Sequence, residues 1–76
     1  MKIPFFPPKT IEKMRMLGIS ESQIVDVFNT GDYKTSENGS KMAIKKVGNL
    51  ELGCFYDQNS RTGEYIITGV WKRDRF

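Results

Sequence analysis

Leu17-Gly18-Ile19-Ser20-Glu21-Ser22-Gln23-Ile24-Val25-Asp26-Val27-Phe28-Asn29-Thr30-Gly31 is the stretch on which the fold turns. Ser20 suits a helix N-cap, because its hydroxyl can accept from an amide that has no partner inside the helix. Gln23 stands three residues on and completes the Ser-x-x-Gln pattern of a capping box. Ile19 and Ile24 occupy the two positions of a hydrophobic staple. Ile24, Val27 and Phe28 recur at helical spacing with Val25 at the edge of the stripe, and Glu21 and Asp26 fall outside it. Gly31 is expected to stop the helix in the left-handed conformation. The stretch predicts an amphipathic helix and specifies no chemistry.

Upstream, Thr10 is expected to cap a shorter helix over Ile11 to Leu17. There Ile11, Met14 and Leu17 form one apolar stripe and Gly18 supplies the stop. With only Gly18, Ile19 and Ser20 between them, the two helices predict a tight αα corner. Residues 1–8 read as extended, since Pro4, Pro7 and Pro8 disfavour helix. Ile3, Phe5 and Phe6 in that segment are expected to pack on the domain or on a partner.

Downstream of Gly31 the period changes to two. Asp32 to Thr35 is expected as a short edge strand, followed by a turn over Ser36 to Ser40 that contains Asn38-Gly39. Lys41 to Val47 reads as a strand with Met42 and Ile44 inward and Lys41 and Lys45 outward. Gly48-Asn49 makes a hairpin turn into Leu50 to Tyr56. A polar loop over 57–63 leads to a last strand from Glu64 to Trp71 and a charged end over 72–76. The sum is an α+β fold, two helices followed by an antiparallel meander of three or four strands. The third strand puts Leu50, Leu52, Cys54 and Tyr56 on one face and Glu51, Gly53 and Phe55 on the other. The helices can cover only one of these, so the Phe5-Phe6 segment or a partner is expected on the second.

At 76 residues the chain is expected to form one domain, with 1–8 an extended segment, 9–71 the core and 72–76 the charged end. So small a core would gain from a dimer interface. The single cysteine excludes an intramolecular disulfide, and the absence of histidine excludes Ser-His and Cys-His nucleophile pairs. One cysteine without histidine also argues against a structural zinc site, and no cofactor is expected. There is no long apolar run or signal-peptide pattern, so a soluble, cytoplasmic protein with no membrane partner is expected.

A net charge of +3 is compatible with an acidic partner such as nucleic acid, and equally with an ordinary basic protein. The candidate nucleic-acid contacts are Lys41 and Lys45 on a strand, then Trp71, Lys72, Arg73 and Arg75 at the C-terminal end. Cations supply phosphate contacts and aromatic rings supply stacking. Two structural alternatives stay open. Strand lysines also protect sheet edges, and Trp71 also suits the end of the core. Trp71, Arg73 and Arg75 alternate, so a continued strand would put them on one side.

Lys13-Met14, Leu17-Gly18-Ile19-Ser20, an amphipathic helix ending at Gly31 and a meander closing on Ile66-Ile67-Thr68-Gly69-Val70-Trp71 together resemble a small bacterial domain family. That family usually carries His-Ala-x-x-Arg-Met and then Arg-Gly-Ile-Ser, and is similar to the RelE and BrnT ribonuclease toxins. The resemblance spans roughly Lys9 to Trp71. Lys9 stands at the family's His, Lys13 at its first Arg and Leu17 at its second. The resemblance implies a RelE-like fold, RNA as partner and an antitoxin as a protein partner. Some RelE-like toxins cleave RNA with Lys, Arg and Tyr, which nominates Lys9, Lys13, Tyr65 and Arg73 as catalytic candidates. Two functions follow: an RNA-interacting, toxin-like protein with ribonuclease activity left open, or a noncatalytic protein-binding module of phage or plasmid origin that uses an apolar sheet face.

Overall fold

A computed structural model describes residues 2–74. Two helices, α1 (Pro8–Leu17) and α2 (Glu21–Thr30), precede four strands, β1 (Asp32–Thr35), β2 (Lys41–Val47), β3 (Leu50–Gln58) and β4 (Tyr65–Asp74). The strands form one antiparallel sheet in the order β1-β2-β3-β4. Both helices pack on one face of this sheet, and the α+β meander expected from the sequence is the fold observed.

The capping box at α2 forms as read. The Gln23 amide donates to Ser20 Oγ at 3.2 Å, and the Ser20 amide donates to Gln23 Oε1 at 2.8 Å. At the end of α1, Gly18 is left-handed (φ 70°), and the Gly18 and Ile19 amides return to the Arg15 and Met14 carbonyls. This is the Schellman arrangement, and it turns the chain straight into the Ser20 cap.

Two capping expectations are corrected. α1 begins earlier than Thr10, with Pro8 at its first position, where a missing N–H costs nothing. Thr10 is instead buried and donates through Oγ1 to the Ile67 carbonyl at 2.7 Å, pinning α1 to β4. Gly31 is extended (φ −77°, ψ 177°) rather than left-handed. Glycine is required there by space: a Cβ would stand 2.5 Å from the Val27 carbonyl oxygen and 2.7 Å from that of Ile44. The end of α2 presses directly on the backbone of β2.

That contact explains a third correction. The residue of β2 that faces the helices is Ala43, fully buried, and not Met42 or Ile44, which lie half-buried on the opposite face. A helix this close leaves room only for a methyl group. Lys45 shares the helix side and escapes at its rim, where Nζ reaches Asp26 Oδ2 at 2.6 Å and Thr30 Oγ1 at 2.8 Å.

A fourth correction lies in β4, which runs on to Asp74 and contains a bulge. Phe55 pairs with Gly69 and Tyr56 with Ile67, so Thr68 is the extra residue and the alternation shifts across it. Ile67 and Val70 therefore both enter the core.

The core joins Phe6, Met14, Ile19, Ile24, Val27 and Phe28 to Ala43, Leu52, Cys54, Ile67 and Val70. Phe28 is ringed by Tyr33, Tyr56 and Tyr65 at 6.3, 5.3 and 5.1 Å between centroids. The N-terminal segment extends the edge of the sheet beside β4. Phe5 bridges Ile66 in parallel, its amide donating to the Tyr65 carbonyl at 2.8 Å and its carbonyl accepting from the Ile67 amide at 2.9 Å. Asn29 fastens this segment by accepting from the Lys2 amide and donating to the Lys2 carbonyl, each at 2.8 Å.

Candidate nucleic-acid interface

The face of the sheet turned away from the helices is built from cross-strand rungs. One rung holds Lys34, Met42, Phe55 and Gly69. The next holds Asp32, Ile44, Gly53 and Trp71, and a third holds Lys46, Glu51 and Arg73. Each aromatic residue faces a glycine. A Cβ on Gly53 would come within 2.2 Å of the Trp71 indole, so that ring lies flat against the bare backbone of β3. A Cβ on Gly69 would stand 3.4 Å from the Phe55 ring. Glycine inside a strand weakens it, and here it makes space for a ring.

Beside Trp71 the charges are fixed. The Arg73 guanidinium stands 5.9 Å from the centroid of the indole and donates from Nη2 to Glu51 Oε1 at 2.6 Å. Glu51 is 5% exposed, although it belongs to the face without helices, and Trp71 and Arg73 flank it in the register. A carboxylate so placed is tolerated because a guanidinium meets it. The groove along these residues has a volume of about 350 Å³ and is bounded by Lys34, Ile44, Lys46, Glu51, Trp71 and Arg73, with Asp32 at its edge. Among the described residues, Lys34 and Lys46 have no carboxylate within 4.0 Å.

The sequence candidates separate. Trp71 and Arg73 share the open face, as their alternation predicted. Lys41, Lys45 and Lys72 stand in the rungs of Tyr56 and Leu52, on the helix side, although Lys41, at the start of β2, also borders a groove with Phe55 and Asp57. Lys45 is paired with Asp26, and Lys72 donates to the Leu17 carbonyl at 2.8 Å, a cation at the negative end of α1. Lys9 and Lys13 are exposed on α1. Tyr65 packs on Phe28 and Tyr56 beneath the Lys2 ammonium, which is 4.9 Å from its ring. Tyr65 and Arg73 begin and nearly end β4, about 26 Å apart at the usual rise of a strand. The structure therefore does not bring Lys9, Lys13, Tyr65 and Arg73 together. Arg75 lies outside the described residues.

Other reactive groups are quiet. Burial pushes the Cys54 thiol up to about 11, which keeps it protonated and poorly nucleophilic. Burial, together with the neighbouring Tyr33, Tyr65 and Cys54, raises the Tyr56 phenol above its ordinary value. Among the described residues no cluster of three or more Cys, Asp or Glu is placed to hold a metal, and no helix is long and apolar enough to cross a membrane.

Sequence reasoning placed Glu51, Gly53 and Phe55 together on one face of the third strand, left open which face the helices cover, and singled out none of the three. The available signal was Gly53, a lone glycine inside an otherwise apolar strand. No family model, curated protein or solved structure matches this chain.

Proposed function

We propose that the open face of the sheet binds single-stranded RNA, with Trp71 stacking a base and Arg73, Lys46 and Lys34 meeting phosphates. The observation that carries this reading is the indole held flat on Gly53 with a guanidinium 5.9 Å away. One face of the ring is backed by the β3 backbone, and the base is proposed to stack on the other, beside the Arg73 guanidinium. A stacking surface beside cations is what a flexible, anionic chain of aromatic bases requires. The resemblance of the sequence to ribonuclease toxins favours the same partner and a toxin-like role in the cytoplasm. Cleavage is not part of the proposal, because the four residues that would carry it stand apart.

Trp71 is the chain's single tryptophan, so its emission reports on this face alone. Titration with a uridine hexaribonucleotide is expected to quench it to saturation. Affinity should fall with salt by a log–log slope of about 0.7 for each phosphate contacted. Trp71→Ala should abolish binding measured by anisotropy of a labelled oligomer. Unchanged emission at low salt overturns the reading.

A second reading rests on a specific feature of the same face. Met42, Ile44, Phe55, Ile66 and Trp71 leave half-buried apolar surface there, as a protein-binding module would. Retention of a protein partner that Trp71→Ala abolishes, with no RNA bound, would favour it. Induced expression in a bacterial cell, followed through growth and the integrity of total RNA, separates binding from cleavage.

A further inference from the structure

A second groove, of about 530 Å³, lies at the other end of the open face. Its walls include Asn38, Ser40, Phe55, Asp57, Thr68 and Gly69. The β4 bulge lies along it, with Thr68 as the residue left out of the pairing. Bulges re-aim side chains where a sheet meets a ligand. Phe55 and Trp71 are diagonal neighbours across β3 and β4, about 7–8 Å apart between Cα atoms by the geometry of such pairs. Adjacent nucleotides of one strand can reach both rings.

The polar groups of this groove include Lys41 and a carboxylate, Asp57, that makes no ion pair among the described residues. Asp57 is exposed, and its Oδ1 accepts from the Gln58 amide at 2.8 Å, which leaves Oδ2 with no protein donor among the described residues. Asn38 Oδ1 is occupied by the Ser36 hydroxyl and the Ser40 amide, so the turn that walls the groove is held by its own bonds. A carboxylate is an acceptor only. Set against a polyanion it is unfavourable unless the ligand offers a donor at that place. The ribose 2′-hydroxyl is such a donor, and deoxyribose has none. Phosphates have a cation at the groove itself, Lys41, and another one rung away, at Lys34 in the row of Met42 and Phe55.

Resting on the RNA reading above, we infer that this groove takes the second nucleotide of the bound strand. Phe55 stacks its base and Asp57 accepts from its 2′-hydroxyl, so the face selects RNA over DNA. The footprint is two adjacent nucleotides, one on each aromatic ring.

The test compares uridine and deoxyuridine hexamers, which differ only at the 2′ position, on the full chain. The parent should bind the ribose form about ten-fold more tightly, as a charge-assisted hydrogen bond allows. Asp57→Ala should bring that ratio close to one without weakening the deoxy form, since it also removes a negative charge. Phe55→Leu should weaken both oligomers several-fold and keep the ratio. Far-UV circular dichroism confirms that each variant is folded. A parent that binds both oligomers equally, or a preference that survives Asp57→Ala, overturns the inference and leaves RNA binding standing. A parent that binds neither overturns both.

Discussion

The two faces of the sheet are made by alternate residues of the same strands, and they are held by different means. On the helix side, Leu52 and Cys54 of β3 are sealed by α2 at 2% and 0% exposure. On the open side, no helix among the described residues packs over Glu51, Gly53 and Phe55 of the same strand, and Trp71 lies over Gly53 while Arg73 meets Glu51. The covered face gains stability by removing apolar area from water. The open face pairs ring with glycine and carboxylate with guanidinium, which organises a surface without closing it. A strand can thus commit one set of residues to the core and leave the alternate set for a ligand.

The largest expected effect contrasts the two faces directly. Phe28 is 1% exposed at the centre of the tyrosine ring, and Phe28→Ala should cost about 3–5 kcal/mol in denaturant unfolding. Trp71 is half-buried, and Trp71→Ala should cost only about 1–2 kcal/mol while removing RNA binding. If Trp71→Ala destabilised the chain as much as Phe28→Ala, the open face would be a second core and the contrast would fail.

Gly53→Ala sharpens the contrast. The added methyl would meet indole atoms at 2.2–2.5 Å, and the ring must move. Because it opens toward solvent, the cost should be about 1 kcal/mol, the low end for overpacking. The displaced indole should emit at longer wavelength and lose its quenching by RNA. An unshifted spectrum would mean that Gly53 does not set the pose of the ring.

The difference between the faces was partly legible in the sequence. The capping box at Ser20, the hairpin at Gly48-Asn49 and the alternation of β3 are local codes, and each forms as read. The orientation of β2 was not legible. Met42 and Ile44 are larger and more apolar than Ala43, so pattern alone turned them inward, whereas the approach of α2 to the backbone at Ile44 reserves that side for a methyl. The phase of β4 was hidden for a similar reason, since a bulge at Thr68 is a property of pairing and not of one strand. At the candidate site, Trp71 and Arg73 were found by alternation. Glu51 was passed over because its burial depends on neighbours in another strand.

The smallest expected effect lies where the covered face reaches water. Lys45 and Lys46 are adjacent in β2 and point to opposite sides, so Lys45 finds Asp26 of α2 and Lys46 faces the open groove. The Lys45 hydrogen bond, its charge and the Thr30 hydroxyl together hold the Asp26 carboxyl below its ordinary value of 3.8, against a smaller opposing effect of burial. A carboxyl lowered in the folded state binds its proton more readily in the unfolded chain. The stability it contributes is therefore present above about pH 4 and is lost as pH falls through the lower folded value. Asp26 is half exposed, so water and salt screen the pair, and the change should sit near the resolution of a thermal melt. Asp26→Asn should flatten the acid limb slightly relative to the parent, and 1 M salt should narrow the gap. Lys46→Met should leave that limb unchanged but weaken RNA binding and reduce its salt slope by about 0.7. If Lys46→Met altered the acid limb and Lys45→Met altered RNA binding, the two lysines would have been assigned to the wrong faces.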